Sequence, residues 1–449
     1  MNKVKKAFFC SNCGAEHSKW QGQCDSCKSW NTLVEEIIKN PNKKEWKSKN
    51  INGYSSKPIH IKNITSKTID KISSGDKELD RVLGGGIVPG SLVLLGGEPG
   101  IGKSTLLMQV ANSVNGKVVY VSGEESEQQI KLRSERVNKY ESDCYLLSET
   151  NTQTLLTHLD NLNPSLVIID SIQTLYSGLI DSSSGSVGQI RTCTAELIHY
   201  AKQTHTPIFI VGHITKDGSI AGPKVLEHMV DTVLNFEGDR NHLHRILRVH
   251  KNRFGTTSEL GIYEMNQSGL KAVKNPSSFL ISKYVGDLSG HSICATIEGI
   301  RPMLIEVQAL VSSAVYGTPQ RSSTGFENKR LNMLLAILEK RAGFQLGAKD
   351  VFLNLAGGIR LDDPGIDLAV VAAILSSSID ISVPRGYIFA AEIGLSGELR
   401  NVPKIEQRIQ EASKQGFEKM VVAKTVKPFT NKIQLVQLSS VKELVQHLF

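Results

Sequence analysis

The chain has 449 residues, of which 40% are hydrophobic and 21% charged, as is usual for a soluble globular protein of two or three domains. The longest apolar run, Leu368–Leu375, is too short to span a bilayer, which excludes an integral membrane protein of the helical type and predicts no membrane partner. The net charge of +8 lies in residues 1–68, which hold 13 Lys and Arg against 5 Asp and Glu, whereas the remaining residues hold 39 of each sign. This excess is typical either of a solvated lysine-rich linker or of a basic arm near a nucleic acid.

The N-terminal segment and the cysteines indicate the compartment. Lys3, Lys5 and Lys6 are followed only by Ala7, Phe8 and Phe9 before Cys10, so no secretory signal core is expected and a cytoplasmic protein is predicted. An odd total of seven cysteines without such a signal argues against a disulfide framework.

Three regions follow one another along the chain. Residues 1–55 hold a cysteine cluster and a polar basic linker, and residues 56–275 alternate short apolar runs with helical stretches. Continuously apolar runs predict strands that are buried on both faces, as in a parallel sheet covered by helices, at Leu92–Leu95, Val118–Val121, Leu166–Ile169 and Ile208–Val211. Residues 276–449 mix strands with apolar helices, Lys329–Lys340 and Ile366–Ser376, and are predicted to be an α+β domain. The fold class is therefore α/β with two smaller additions.

The cysteine cluster has the spacing of two metal-binding knuckles. Each knuckle is a Cys-x-x-Cys pair, and two pairs predict a closed tetrahedral Zn²⁺ site with four thiolate ligands: Cys10, Cys13, Cys24 and Cys27. Because such a site has no open position, the metal is predicted to be structural; four free thiols or an iron–sulfur cluster remain alternatives. Trp20 and Trp30 are expected to form the small core of the module, and His17 is expected to face solvent.

A phosphate-binding loop follows the first buried strand. The segment matches G-x-x-x-x-G-K-[ST], lies between a predicted strand and a predicted helix, and supplies the nucleotide-binding residues Gly97, Glu98, Pro99, Gly100, Ile101, Gly102, Lys103, Ser104 and Thr105. Backbone N–H groups of the loop and the helix N-terminus suit a triphosphate. Lys103 is predicted to reach the β- and γ-phosphates of ATP, and the Ser104 hydroxyl is predicted to bind Mg²⁺.

Acidic residues follow two later strands. Asp170 ends the apolar run Leu166–Ile169, so it is predicted to hold Mg²⁺ beside the phosphates. Glu124 and Glu125 follow the run Val118–Val121, where a carboxylate can polarise the attacking water. Position favours Glu124 as the catalytic base, although two ordinary surface acids are the alternative.

The order of these motifs closely resembles the bacterial RadA (Sms) family of DNA repair proteins. The resemblance rests on the four-cysteine motif, the P-loop, Tyr-Val-Ser-Gly-Glu-Glu-Ser at residues 120–126 and Lys-Asn-Arg-Phe-Gly at residues 251–255. It implies a zinc finger, a RecA-like ATPase core and a C-terminal domain similar to the Lon protease. It further implies a hexameric, DNA-stimulated ATPase of the helicase type that drives branch migration. The implied partners are single-stranded DNA, branched recombination intermediates and the bacterial recombinase.

The resemblance also assigns roles to residues beyond the P-loop. Lys251 and Arg253 would act on the γ-phosphate of a neighbouring subunit, and a basic strand that contacts DNA phosphates is the alternative. His213 would be a γ-phosphate sensor or merely structural. The loops Ser182–Arg191 and Thr215–Lys224 would face DNA.

The C-terminal domain departs from the protease that it resembles. Lon-type proteases use a Ser–Lys pair, but Gly365 occupies the serine position and Arg408 the lysine position. A ring-forming scaffold is therefore expected, with candidate DNA contacts at Arg321, Arg330, Lys340 and Arg341. The competing functions are an ATP-dependent protease and a signalling RecA-like ATPase or kinase.

Overall fold

The computed structural model describes residues 5–11, 14–38, 60, 70–137, 143–212, 225–238, 244–281, 288–314, 318–358, 360–424 and 433–449. The chain forms two compact units, Met1–Ala272 and Val273–Phe449. His213 and the loop Thr215–Lys224 lie outside the described residues, as does Cys13.

The first unit contains thirteen strands and six α-helices within its described residues. The strands are β1 Lys5–Cys10, β2 Glu16–His17, β3 Leu33–Ile38, β4 Leu92–Gly97, β5 Val118–Ser122, β6 Cys144–Leu147, β7 Leu166–Asp170, β8 Ile180–Asp181, β9 Ile208–Val211, β10 Thr232–Glu237, β11 His244–Asn252, β12 Leu260–Asn266 and β13 Gly269–Ala272. The helices are α1 Lys77–Val82, α2 Lys103–Ser113, α3 Glu127–Val137, α4 Thr152–Leu162, α5 Val187–Thr204 and α6 Val225–Met229.

A nine-stranded sheet organises this unit in the order β13-β12-β11-β10-β4-β9-β7-β5-β6. The six strands from β10 to β6 run parallel, and β11, β12 and β13 extend the sheet in antiparallel pairs. All four predicted apolar runs are strands of the parallel part, and each is buried along its length. The predicted α/β class with a mainly parallel sheet is therefore confirmed, because strands covered on both faces need continuous apolar sequence.

Each face of the sheet carries its own hydrophobic core. One core packs α2 against Val93, Leu95, Tyr120 and Ile168, whereas the other packs α4 and α5 against residues that alternate with them, such as Val119 and Ile169. The alternation follows the pleat, in which successive side chains point to opposite faces. Residues of β4, β5 and β7 that share a face with α2 are thus directed toward the helix that follows the P-loop.

A second, four-stranded sheet has the order β2-β1-β3-β8 and joins the N-terminal segment to the P-loop part of the unit. Its last strand comes from the region between β7 and α5, where Ile37 pairs with Asp181. Arg191 on α5 also donates from Nη1 to the Gly14 carbonyl at 2.8 Å. The N-terminal segment is therefore attached to the larger sheet domain by backbone and side-chain hydrogen bonds.

The second unit is an α+β arrangement around one seven-stranded sheet. Its strands are β14 His291–Glu298, β15 Arg301–Ser313, β16 Arg321–Thr324, β17 Lys349–Leu355, β18 Tyr387–Ala390, β19 Glu392–Ile393, β20 Leu399–Arg400, β21 Lys419–Ala423 and β22 Gln434–Leu438. Its helices are α7 Ser277–Leu280, α8 Asn328–Ile337, α9 Asp367–Ile379, α10 Ile405–Lys414 and α11 Val441–Leu448. The sheet order is β16-β17-β15-β14-β18-β21-β22, and the apolar helix α9 is buried over most of its length.

The described residues contain no helix that combines the length and the apolar character required to cross a membrane.

Candidate nucleotide-binding site

The P-loop connects the carboxyl end of β4 to the first turn of α2. Its backbone depends on glycine, since Gly97, Gly100 and Gly102 have φ values of 152°, 78° and 118°. A Cβ at Gly97 would lie 2.7 Å from the Phe236 carbonyl oxygen, whereas a Cβ at Gly100 would meet nothing within 4 Å. The loop is therefore closely packed where it leaves the sheet and open at its tip, where Glu98, Pro99 and Gly100 are exposed. This is the shape that a phosphate chain requires.

Lys103 lies at the start of α2 and is almost fully buried, with 4% of its surface exposed. Its Nζ donates to the carbonyl oxygens of Gly97 at 2.7 Å and Glu98 at 2.9 Å, so the side chain folds back over the loop. Burial lowers the pKa of Lys103 to about 8, against the opposing effect of the nearby carboxylates Asp170, Glu124 and Glu98. An anion bound in the loop would offset this cost of burying a cation.

Asp170 ends β7 beside this lysine and is 8% exposed. Register pairs it with Ser122, the last residue of β5. The buried Tyr120 hydroxyl donates to Asp170 Oδ2 at 2.6 Å. Ser104 and Thr105 are partly exposed in the first turn of α2. A hydroxyl and a carboxylate at one edge of the sheet are oxygen donors of the kind that Mg²⁺ prefers, so this set of residues fits the ion.

The two glutamates that follow β5 have different partners. Ser171, directly after Asp170, donates from Oγ to Glu124 Oε1 at 2.6 Å. Glu125 instead forms an ion pair with Arg133 of α3. Both backbone N–H groups bond to the Ser122 hydroxyl oxygen, so the turn is fixed while the side chains diverge. The structure thus brings Lys103, Asp170 and Glu124 together and directs Glu125 toward α3.

Arg245 is a contact of the P-loop that the sequence did not indicate. It lies on β11, is 6% exposed, and donates from Nε to the Ile101 carbonyl oxygen at 3.1 Å. Arg245 and Ile101 are 144 positions apart in the sequence, so no local pattern connects them. An arginine in a strand of alternating apolar and polar residues predicts only a position on the surface. Tyr120 and Ser171 were also missed; their only signals are a polar aromatic residue in an apolar run and a hydroxyl after the acidic residue.

Lys251 and Arg253 lie at the opposite end of the sheet from the P-loop of the same chain. The Lys251 Nζ donates to the carbonyl oxygens of Glu227 at 2.7 Å and Val230 at 2.8 Å, near the end of α6. Arg253 pairs with Asp231 at 3.2 Å, and Asp231 Oδ2 accepts the N–H of Leu92, the first residue of β4. A strand of this length places roughly 17 Å between that position and the P-loop. The two cations therefore do not join the site of their own chain.

The cysteine cluster is assembled around three described thiols. The Sγ atoms of Cys10, Cys24 and Cys27 lie within 4.8 Å of one another, and those of Cys10 and Cys27 are 3.7 Å apart. Two thiolates on a tetrahedral Zn²⁺ with Zn–S of about 2.3 Å would lie about 3.8 Å apart. These residues therefore fit the ion, and the fourth predicted ligand, Cys13, lies outside the described residues.

Three expectations about the cysteine module are wrong. Trp20 and Trp30 are 58% and 69% exposed, so they do not form its core, which instead contains Leu33 packed against Cys10 and Cys24. Phe8, Ala15 and Cys27 are the partly buried residues that pack against this core. The His17 side chain is 11% exposed rather than solvent-facing, and its Nε2 lies 3.4 Å from Cys24 Sγ.

One predicted DNA-facing loop and one predicted DNA contact are also corrected. Residues Val187–Arg191 form the first turn of α5, where Gln189 and Ile190 are 1% exposed, so only the preceding Ser182–Ser186 is a loop. In the second unit, Arg330 pairs with the buried Asp367 and donates to the Ile393 carbonyl oxygen. Arg330 is therefore a structural residue of that unit.

The positions aligned with the protease pair lie together in the second unit. A Cβ at Gly365 would lie 2.7 Å from Arg408 Nη1. Arg408 is 2% exposed and donates to both carboxylate oxygens of Asp363, at 2.6 and 2.9 Å. The two aligned positions therefore hold a glycine and an arginine in a buried ion pair, and not the Ser–Lys pair of the protease.

Comparison with known families accounts for the three parts of the chain. Residues 8–35 match a family described as a rubredoxin metal binding domain, and residues 57–219 match a family described as an AAA domain. Residues 307–426 match a family described as subunit ChlI of Mg-chelatase.

Curated relatives cover nearly the whole chain. A protein named DNA repair protein RadA from Bacillus subtilis is 48% identical over 427 residues, covering 94% of this chain and 93% of the relative. Proteins of the same name from Listeria monocytogenes and Streptococcus pyogenes are 47% and 45% identical, over 94% and 100% of this chain and 93% and 100% of the relatives. A solved KaiC-like protein from Pyrococcus horikoshii is 19% identical, covers 46% of this chain and 99% of its own, and has a TM-score of 0.38.

Proposed function

Because the chain belongs to the RadA family of DNA repair proteins, a RecA-like ATPase family, we propose that it is a DNA-stimulated motor acting in homologous recombination. The observation that carries this proposal is the convergence of Lys103, Asp170 and Glu124 at the open P-loop. A buried cation, a strand-end carboxylate and a second, oriented carboxylate are the parts that phosphoryl transfer to water requires.

The P-loop residues Gly97–Thr105 bind ATP in this proposal. Lys103 leaves the carbonyl oxygens of Gly97 and Glu98 and pairs with the β- and γ-phosphates, which are stronger acceptors for a buried ammonium group. Ser104 and Asp170 hold Mg²⁺, which when bound offsets negative charge on the phosphates. Arg245 keeps the Ile101 carbonyl in place, so that the neighbouring N–H groups stay directed at the ligand.

Glu124 is the proposed base, and its partner explains why Glu125 is not. The Ser171 hydroxyl holds the Glu124 carboxylate beside Asp170, where it can take the proton of the water that attacks the γ-phosphorus. The Glu125 carboxylate is neutralised by Arg133 and directed toward α3. A catalytic base must lie within hydrogen-bond distance of the attacking water, and its pKa is relevant only if this geometric condition is met.

The remaining parts are proposed to assemble and guide the motor. Cys10, Cys13, Cys24 and Cys27 hold a structural Zn²⁺, and the chain forms a homohexameric ring. Arg253, whose side chain is 55% exposed, and Lys251 act at the nucleotide of a neighbouring subunit, since they are remote from the P-loop of their own chain. The ring translocates on single-stranded DNA and branched recombination intermediates, and with the bacterial recombinase it promotes branch migration.

The test is ATP hydrolysis measured with and without single-stranded DNA across a salt series. We expect DNA to stimulate turnover and the stimulation to fall as salt rises, because contacts to phosphates release counterions. Lys103→Ala should lose about 10²–10³-fold in turnover, whereas Lys117→Ala, an exposed lysine just after α2, should behave as wild type. ATP turnover that does not change on addition of DNA, or that stays at the wild-type level in Lys103→Ala, would contradict the proposed DNA-stimulated motor. Hydrolysis of casein would instead support a protease.

A further inference from the structure

Tyr120 lies in the middle of β5, and its ring is fully buried in the core between the sheet and α2. On a strand, residues two apart share a face, so Tyr120 points to the same side as Ser122, which is paired in register with Asp170. Its ring spans from the interior of β5 to the end of the neighbouring strand β7. There the hydroxyl donates to Asp170 Oδ2 at 2.6 Å.

This hydrogen bond links a rigid strand to the carboxylate proposed to hold Mg²⁺. A tyrosine ring has only two side-chain torsions, and in a close-packed core both are fixed by the neighbours. The O–H group therefore holds Oδ2 in one place and sets the rotation of the whole carboxylate. A hydroxyl bonded to an ionised carboxylate makes a short, strong hydrogen bond.

A purely structural explanation accounts for less of this arrangement. Phenylalanine would fill the same volume with no polar atom to satisfy, so burial alone does not require the hydroxyl. The partner is also specific, because the hydroxyl reaches the acidic residue that ends β7 rather than a backbone carbonyl. Partners that orient a metal-binding carboxylate commonly change metal affinity 10–100-fold when they are removed.

We propose that Tyr120 is a positioning residue for the metal site, acting through Asp170 on the binding of the divalent cation with the nucleotide. This inference rests on the proposed function, in which Asp170 holds Mg²⁺. Tyr120 itself contacts neither the ion nor the phosphates; it fixes the orientation in which Asp170 meets them. Removal of the Tyr120 hydroxyl should therefore lower the affinity for the divalent cation. The affinity for nucleotide in the absence of metal should not change.

The experiment uses the full-length chain with Mn²⁺ as the probe. Mn²⁺ binding in the presence of a non-hydrolysable ATP analogue is followed by electron paramagnetic resonance, and analogue binding in EDTA is followed separately. Tyr120→Phe should lower the affinity for Mn²⁺ about tenfold. It should raise the Mg²⁺ concentration that gives half-maximal hydrolysis by a similar factor. Analogue binding in EDTA should not change.

The matched control is Tyr200→Phe. Tyr200 is also buried, at 1% exposure, but packs in the core on the other face of the sheet. Tyr200→Phe should keep the wild-type affinity for Mn²⁺. In Asp170→Asn, the added change Tyr120→Phe should have no further effect, because the hydroxyl then has no carboxylate to orient.

Each outcome decides one hypothesis. Wild-type Mn²⁺ affinity in Tyr120→Phe, together with weakened affinity in Asp170→Asn, would overturn the positioning role alone. Wild-type affinity in Asp170→Asn would instead overturn the proposed metal site. Equal losses in Tyr120→Phe and Tyr200→Phe, additive losses in the double variant, or a Tyr120→Phe chain that does not fold would each show a role in core packing rather than at the metal.

Discussion

Arg408 and Asp363 form a bidentate ion pair inside the second unit, with Nη1–Oδ2 and Nη2–Oδ1 distances of 2.6 and 2.9 Å. The pair lies directly against Gly365, where a Cβ would be 2.7 Å from Nη1. Burial raises the pKa of Asp363, but the hydrogen bonds from Arg408 outweigh it and hold the pKa below its ordinary value. The positions that resemble the protease pair are therefore occupied by a glycine and by one partner of a buried ion pair.

Arg408→Ala should destabilise the second unit by about 3–5 kcal/mol, because it leaves a buried carboxylate unpaired. Since the folded-state pKa of Asp363 is lowered, its contribution is present above the ordinary pKa of 3.8 and is lost as pH falls through the folded value. Hydrogen exchange of peptides from β14 and α10 measures the change. Arg400→Ala is the control, because Arg400 is 56% exposed in its pair with Glu398. Equal protection in the two variants would contradict a stabilising role of the pair.

Nucleotide affinity should depend on pH through Lys103. Its pKa is about 8 in this structure, and only the protonated form pairs with phosphate, so binding of a fluorescent ADP should be constant below about pH 7 and weaken above pH 8. The slope should approach a tenfold loss per pH unit, as expected for uptake of one proton. Lys103→Arg should bind with little pH dependence up to pH ~9.5, because a guanidinium stays charged. The same slope in both proteins would mean that another group titrates.

The two glutamates should separate in kinetic measurements. Glu124→Gln should bind ATP normally and hydrolyse it about 10²–10⁴-fold more slowly, because the attacking water loses its base. Glu125→Gln should change turnover less than about fivefold, since it removes only a partly exposed ion pair with Arg133. Phosphate release at saturating ATP and DNA measures both. Ser171→Ala should fall between them, because Glu124 keeps its charge but loses its orienting partner. A larger loss in Glu125→Gln than in Glu124→Gln would reverse the assignment.

Cys24→Ser should lower the zinc content and loosen the N-terminal sheet while nucleotide binding persists. Because β3 pairs with β8, hydrogen exchange should also increase at Ile180 and Asp181, far along the sequence from the mutation. Metal analysis and exchange on the same samples measure both effects. Cys144→Ser, a cysteine outside the cluster, should keep the zinc. Iron in the purified protein, or zinc that is unchanged in Cys24→Ser, would reject the assignment.

Arg253→Ala should bind ATP but hydrolyse it poorly even with saturating DNA, because an arginine acting on a neighbouring subunit stabilises the transition state rather than the bound nucleotide. Mixing Arg253→Ala with Lys103→Ala chains should restore part of the activity, since some interfaces then pair an intact P-loop with an intact arginine. Lys202→Ala, which removes the other cation on Asp231, controls for simple loss of that ion pair. Mixed rings without restored activity, or full rescue of Arg253→Ala by DNA, would support a DNA contact instead.

The sequence by itself determined the features that are contiguous in the chain. Four apolar runs became buried parallel strands, and the glycine spacing at Gly97–Gly102 placed the P-loop between β4 and α2. Two Cys-x-x-Cys pairs predicted a metal module, and three of its thiols converge. These patterns succeed because turn geometry, strand burial and metal spacing act over a few residues.

Only the tertiary structure decided which distant residues meet. Tyr120 reaches Asp170 across 50 residues and Arg245 reaches Ile101 across 144, and no local pattern encodes either contact. The different partners of Glu124 and Glu125, which are Ser171 and Arg133, also come from distant parts of the chain. The exposure of Trp20 and Trp30 likewise had no signal in the sequence. Hydrophobic periodicity states which side of an element is buried, but the partner at that side is set by the packing of the whole sheet.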